Sequence, residues 1–312
     1  MNKQKQIIVV FVVVALSLIS LEIVSAIVLS KIYNRNFNLG LVQQHKYSET
    51  NGLKPNIIAT VWGQKFTTDK FSSRPKKKLK QKKKLVFIGD SVLEGIGLSD
   101  SLIFTELMEN RQFDVLNLSM PGNSSFDYFN IVKAITDSAN SEYIDGISEI
   151  NIIHCLNDIY GKTAAKDLPN LSNSFKSKIN LVLSHSNFYR LIKLFLYSNS
   201  DYYFQYDAAM YLDKNRVNEV ISFYQEIANI CKTKNIEFVV YALPYKSQIK
   251  KKKLIQLQMF SNEFYQKGIP FYDLTTEFEK KQNDEDLYLF ADEIHFSAAG
   301  HKAIAEIISK EQ

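Results

Sequence analysis

The stretch "KLVFIGDSVLEGIG", Lys84 to Gly97, decides the fold. Its apolar core, Leu85 to Ile88, is rich in branched and aromatic side chains and too short for a buried helix, so it reads as a strand covered on both faces. The run then stops at Gly89-Asp90-Ser91, three residues suited to a turn, with Gly95 and Gly97 close behind. Glycine, aspartate and serine end many strands for ordinary conformational reasons. The sharper reading is that this turn lifts the Ser91 hydroxyl out as a nucleophile.

Outward from that strand the pattern repeats. "VLNLS" (115–119), "INIIHC" (150–155), "EFVVYAL" (237–243) and "PFYDL" (270–274) are further short apolar runs of strand type. Helical periodicity separates them. From Arg216 to Lys232, Val217, Val220, Ile221, Tyr224, Ile227, Ala228 and Cys231 recur every three or four residues and form one apolar face. Helices are also expected at 101–110, 124–138, 253–267 and 298–309. Strand and helix in alternation imply parallel strands joined by right-handed crossovers, hence an α/β fold with three α/β/α layers and about five strands. One interval, 160–213, breaks the rhythm. It holds a helix, "NFYRLIKLFLYS" (187–198), and the aromatic "DYYFQYDAAMYL" (201–212), and it reads either as an insertion capping a pocket or as packing for the outer helix layer.

Ligands of open parallel sheets bind at the carboxyl ends of the strands. Polar and glycine residues follow four of the five runs: Asp90 and Ser91; Ser119 and Gly122 in "MPGNSS"; Asn157 and Asp158 in "HCLND"; and "ADEIHFSAAGH" ahead of the last helix. Acyl transfer assigns them roles. A serine needs a base to take its proton, and that imidazole needs a partner to fix its tautomer and stabilise its cation. His295 is the candidate base, and Asp292, three residues earlier, the orienting carboxylate. The backbone N–H groups of Ser91 and Gly122 and the Asn157 side-chain amide suit the oxyanion that develops on the attacked carbonyl.

"GDSVLEG" (89–95), Gly122 within "NLSMPGNS", "LND" (156–158) and "DEIH" (292–295) resemble the four blocks of the SGNH, or GDSL-type, serine hydrolases, in order and over residues 85–308. The resemblance implies a flavodoxin-like sheet, no cofactor, nucleophile Ser91, base His295, orienting Asp292, and oxyanion donors Ser91, Gly122 and Asn157. One block departs from the pattern: Cys155 stands where the family has glycine, and it reads as a small buried filler. His154 is expected to be a satisfied core histidine, His301 a surface residue of the last helix, and Ser119, Ser124 and Ser125 loop residues. Ser297 is a reasonable N-cap for the last helix.

Toward the N-terminus, Ile7 to Leu29 is apolar apart from three serines and Glu22, enough for a transmembrane helix. Val24-Ser25-Ala26 could also pass for a cleavage site. The apolar run continues past it through Leu29, so residues 1–30 are read as an uncleaved membrane anchor carrying Glu22 as a penalty. Lys3 and Lys5 on one side and Lys31 and Arg35 on the other hardly decide orientation. Because long folded domains are translocated largely regardless of charge, residues from about 31 onward are expected outside the cytoplasm, periplasmic or extracellular. Residues 31–84 read as a juxtamembrane segment with little regular structure and a basic linker. In "RPKKKLKQKKK" (74–84), eight of eleven residues are basic, either a solvated, self-repelling run or an attractor for anionic lipid or acidic glycan. Residues 85–312 form the hydrolase-like domain.

Composition excludes several classes. At 312 residues, 46% hydrophobic and 23% charged, the chain is neither disordered nor repetitive. A net charge of +5, smaller than the basic run alone carries, leaves the rest slightly acidic and argues against nucleic acid. Two distant cysteines and five scattered histidines predict neither a disulfide framework nor a metal site. The leading expectation is a membrane-anchored esterase or deacetylase acting on a small-molecule or glycan acyl ester. By analogy with anchored bacterial envelope domains, the ester is carried by an envelope glycan, with lipid esters left open. An O-acyltransferase with the same groups, or a non-catalytic glycan-binding or assembly protein, are the alternatives.

Overall fold

The structure, a computed structural model, describes residues 2–33, 39–44, 50–76, 83–108, 113–137, 145–162, 183, 185–196, 199–251, 255–282, 286–289 and 292–311. Along the chain come α1 (Lys3–Tyr33), β1 (Val42–Gln44), β2 (Asn51–Leu53), β3 (Ile58–Val61), β4 (Gln64–Thr67), β5 (Lys83–Ile88), α2 (Ser91–Glu94), α3 (Phe104–Leu107), β6 (Phe113–Asn117), α4 (Ser125–Ile135) and β7 (Ile147–His154). After them come α5 (Asn187–Leu196), α6 (Asn199–Met210), α7 (Lys214–Lys234), β8 (Glu237–Ala242), α8 (Lys246–Lys251), α9 (Ile255–Gln266), β9 (Phe271–Asp273), α10 (Thr275–Gln282) and α11 (Ala298–Glu311). The chain divides into two compact units, one of residues 1–36 and 169–198, the other of 37–168 and 199–312.

The larger unit is built on a five-stranded sheet in the order β6-β5-β7-β8-β9, every pair parallel. This is the flavodoxin-like order, in which the chain reverses direction across the first strand; open sheets of this kind admit ligands at such a reversal, which here lies between β5 and β7. Side-chain alternation explains why the strand runs are continuously apolar. On β5, Val86 and Ile88 enter one core with α4, α7 and α9, while Leu85 and Phe87 enter a second with α3, α10 and α11. The helix α7 follows the predicted stripe, starts at Asp213, whose carboxylate accepts from Asn215 N (3.0 Å), and ends at Asn235 in the left-handed region.

Three expectations change. Residues 51–67 are regular: β3 and β4 form a hairpin turning through Trp62 and Gly63, both at positive φ as a two-residue turn of primed type requires. Phe66, Leu53 and Val61 then make a small core with Met120. Arg74, the first residue of the basic run, is buried rather than solvated, because Glu94 and Asp100 neutralise it. His301 is fully buried rather than at the surface, its Nδ1 accepting the Phe104 N–H at 3.1 Å. The centre of the basic run (77–82) and 163–182 of the irregular interval lie outside the described residues, as do the predicted helix ends at 109–110, 138, 197–198 and 253–254. Where that interval is described within the larger unit, Phe204, Ala208 and Tyr211 pack into the core.

In the smaller unit, α1 is a single helix whose stretch Lys3–Ser30 is long and apolar enough to cross a membrane. Ser17 and Ser30 return their hydroxyls to the carbonyls of Val13 and Ile27, so these polar groups are satisfied within the helix. Glu22 is also satisfied, by the start of α5: it accepts from Ser186 Oγ, from Asn187 N (2.7 Å) and from Phe188 N (3.4 Å).

Candidate active site

Glycine at 89 allows a close approach, since an added Cβ would lie 3.0 Å from Leu93 Cβ, at the point where β5 passes into α2. Asp90 then caps α2, its Oδ1 accepting from Val92 N at 2.8 Å. This sets Ser91 at the first position of the helix, where an N–H has no partner within the helix itself. Gly95 closes α2 at φ +91°, a left-handed conformation that an L side chain avoids, and a Cβ there would meet Ile103 Cγ2 at 2.5 Å.

The other pole is a turn between Leu289 and Phe296. Leu289 N donates to His295 O (2.8 Å), Tyr288 bridges Phe296, and Asp292 Oδ1 accepts from the N–H groups of Ile294 (3.1 Å) and His295 (3.0 Å). The carboxylate is thereby held under the ring, with His295 Nδ1 at 3.0 and 2.9 Å from its two oxygens. His295 Nε2 lies 2.9 Å from Ser91 Oγ, across 204 residues of sequence. Burial raises the Asp292 carboxyl, but His295 and the hydrogen bonds of the turn outweigh it and hold it below its usual value. Beneath the turn Gly300 is obligatory, since a Cβ would fall 2.1 Å from the Leu287 carbonyl oxygen.

Asn157 follows β7 on the far side of the crevice. Its Nδ2 donates to Asp90 Oδ2 at 2.8 Å, and its buried Oδ1 has no partner. An amide nitrogen carries two hydrogens, so one orients the group against Asp90 and the second is free for a substrate oxygen. Gly122 is exposed at φ +89°; its loop is tied to the end of β5 by Met120 N, which donates to Gly89 O at 3.2 Å. Ser91, Asp292 and His295 are thus in direct contact, Asn157 is linked to them through Asp90, and Gly122 is held by its loop.

Further buried groups hold this rim, and of them sequence reading gave no sign of Asp207. Asp90 links the Ser91 turn to Asn157, and burial pushes its carboxyl up despite that bond. Asp158 is buried, accepting from Cys155 N (2.8 Å) and Tyr128 Oη (2.7 Å), which fixes the turn that presents Asn157. Asp207 on α6 is gripped by the hydroxyls of Tyr160 and Tyr245, and burial raises it to about 6. Spacing could have suggested Asp90 and Asp158 as caps; nothing local marks Asp207. Cys155 is buried with its thiol pushed well up by desolvation, as a filler should be. His154 has both ring nitrogens engaged, by Tyr224 Oη (2.9 Å) and Tyr211 Oη (3.2 Å), and burial lowers it to about 3. Ser124 begins α4, its N–H donating to Asp127 Oδ2 at 2.9 Å, and Ser125 lies buried in that helix rather than in a loop. Among the described residues, no cluster of histidine, cysteine and carboxylate has the form of a metal site.

The sequence profile of the family described as GDSL-like Lipase/Acylhydrolase matches residues 85–308. The chain belongs to that family. Among solved structures, the chain is similar to a catalytic mutant of Axe2, an acetylxylan esterase from Geobacillus stearothermophilus. The two share 13% identity, with 75% of this chain and 96% of that one covered and a TM-score of 0.45. It is also similar to TesA (13% identity, 72% and 96% covered, TM-score 0.44). A third similar structure is the psychrotrophic esterase EstA from Pseudoalteromonas sp. (10% identity, 73% and 94% covered, TM-score 0.45). No curated protein matches the chain.

Proposed function

We propose that this acylhydrolase is a serine esterase that works through an acyl-enzyme on Ser91. It is tethered by α1 with its catalytic domain outside the cytoplasm and acts on O-acyl groups of cell-envelope glycans. The contact between His295 Nε2 and Ser91 Oγ, with Asp292 on the opposite ring nitrogen, carries the reading. As Oγ attacks the ester carbonyl, Nε2 takes its proton and the imidazolium faces an ionised Asp292. Negative charge on the former carbonyl oxygen is met by the N–H groups of Ser91 and Gly122 and by Asn157 Nδ2, each such donor lowering the barrier by about 3 to 4 kcal/mol. Collapse expels the alcohol, which takes the proton from His295. Water, deprotonated by the same nitrogen, then releases the acid and restores Ser91.

The family supports the ester bond, and α1 supports the location: a tethered enzyme works on esters within reach of the membrane's outer face. A fluorophosphonate probe applied to the purified protein tests the nucleophile. Labelling should vanish in Ser91→Ala, and labelling that ignores the substitution overturns the assignment. Hydrolysis of a simple acetyl ester supports the esterase; a sugar hydroxyl that outcompetes water as acceptor makes the protein a transferase. Neither labelling nor turnover by folded protein would leave a binding role.

A further inference from the structure

The proposal concerns α5 and rests on the anchor reading of α1. Of the ten residues of α5, "NFYRLIKLFL", seven are apolar or aromatic, and the three polar ones, Asn187, Arg190 and Lys193, recur every third position along one face. A helix so broadly apolar belongs in a core or in a lipid interface. The protein covers it only in part, with Phe188, Tyr189 and Leu191 half-buried. Leu194 is covered, but Ile192 is 38% and Leu196 72% exposed within the protein itself.

The helix packs against α1, and the contact is specific. Glu22, the one acidic residue of the apolar stretch, receives the hydroxyl of Ser186 and the N–H groups of Asn187 and Phe188, the otherwise unpaired donors at the start of α5. In hydrocarbon, a carboxylate and a helix start are each costly; paired, they satisfy one another. Glu22, Ser25 and Leu29 recur at three and four residues, the covered face in this half of an otherwise exposed α1.

Depth agrees with this pairing. With about 20 residues spanning the hydrocarbon from Ile7, the outer boundary falls near Ala26. Four residues back, Glu22 is then about 6 Å inside at 1.5 Å per residue, within the 5–10 Å to which interfacial helices sink. Arg190 and Lys193 have stems long enough to carry their charges back to the headgroups.

We propose that α5 is a second membrane-embedded element: an interfacial helix sunk in the outer leaflet beside α1, with Glu22 as its cap, its partner being the lipid bilayer rather than the substrate.

Nitroxide labels at single introduced cysteines, in full-length protein reconstituted into vesicles of phosphatidylcholine and phosphatidylglycerol, read the depth from relative collision rates with oxygen and with a water-soluble nickel chelate. The native Cys155 and Cys231 are buried and should not react. Ile192→Cys and Leu196→Cys should favour oxygen several-fold over the reference Leu212→Cys, which is 84% exposed in the larger unit. Ile19→Cys reports α1 separately. Lipid exposure at 19 with water exposure at 192 and 196 overturns the proposal and spares the anchor; water exposure at 19 overturns both. Adding Glu22→Leu should shift the labels at 192 and 196 toward water while leaving 19 unchanged, and no shift would remove Glu22 from the account.

Discussion

Arg74 lies outside the family-matched residues, yet its guanidinium is built into the support of the short helix that Ser91 begins. Nε reaches Asp100 Oδ1 (3.2 Å), Nη1 reaches Glu94 Oε1 (2.9 Å) and the carbonyls of Glu94 (2.9 Å) and Gly95 (3.0 Å), and Nη2 reaches the Leu98 carbonyl (2.6 Å). Glu94 is three residues from Ser91, and both partners are buried, at 1% and 0% exposure. Removing one member of such a pair leaves the other charge stranded, so Arg74→Met should destabilise the protein by about 3 to 5 kcal/mol. Arg74→Met/Glu94→Gln should recover about 2 kcal/mol of this, a coupling typical of residues in direct contact.

The loss should also depend on pH. Burial raises the Glu94 carboxyl and Arg74 draws it back down. Without Arg74 the folded-state value rises further above the unfolded one, near 4.5. Between those two values the folded state binds the extra proton, so stability falls as pH rises. Urea unfolding of Arg74→Met, followed by circular dichroism, should therefore show a larger deficit at pH 8 than at pH 5, by up to about 1.4 kcal/mol per pH unit within the window. The double variant should lack this slope. A deficit below about 1 kcal/mol at pH 8, or one equal at both pH values, would refute the clamp.

His301 is held neutral with a folded value of about 3 against 6.5 unfolded. The unfolded state binds more protons between these values, so its contribution is present above pH 6.5 and lost as pH falls. Wild type should lose about 2 kcal/mol more than His301→Gln between pH 7.5 and pH 5, and equal losses in urea titrations would contradict the assignment. Asn157→Ala should lower kcat about 10²- to 10³-fold with KM nearly unchanged, the signature of a donor used in the transition state; a rise in KM alone would make Asn157 a binding residue. Gly300→Ala should cost about 3 kcal/mol, since the clash is with a carbonyl oxygen that cannot rotate away, and should slow fluorophosphonate labelling by displacing the His295 turn. An unchanged melting temperature would count against that packing.

How much of this was legible follows from where the information sits. The strand tips and the Asp292–His295 turn could be read directly, because a strand's apolar run and a three-residue Asx turn are local. Cys155 and His154 were also placed correctly, since adjacent strand residues point to opposite faces. His301 was misplaced because a histidine on the covered face of α11 looks like any polar helix residue until Phe104 is known to offer it an N–H.

The chain by itself determined the alternation of strands and helices, the polar residues at the strand ends, the apolar length of α1 and the identity of the four family blocks. All of these are written in periodicities and spacings of a few residues. Only the tertiary structure decided which distant groups meet: Arg74 with Glu94, Asn157 with Asp90, Tyr160 and Tyr245 with Asp207, and Glu22 with the start of α5. The physical reason is that a buried polar group takes whatever partner the packing brings to it, and no short-range pattern encodes a partner tens or hundreds of residues away.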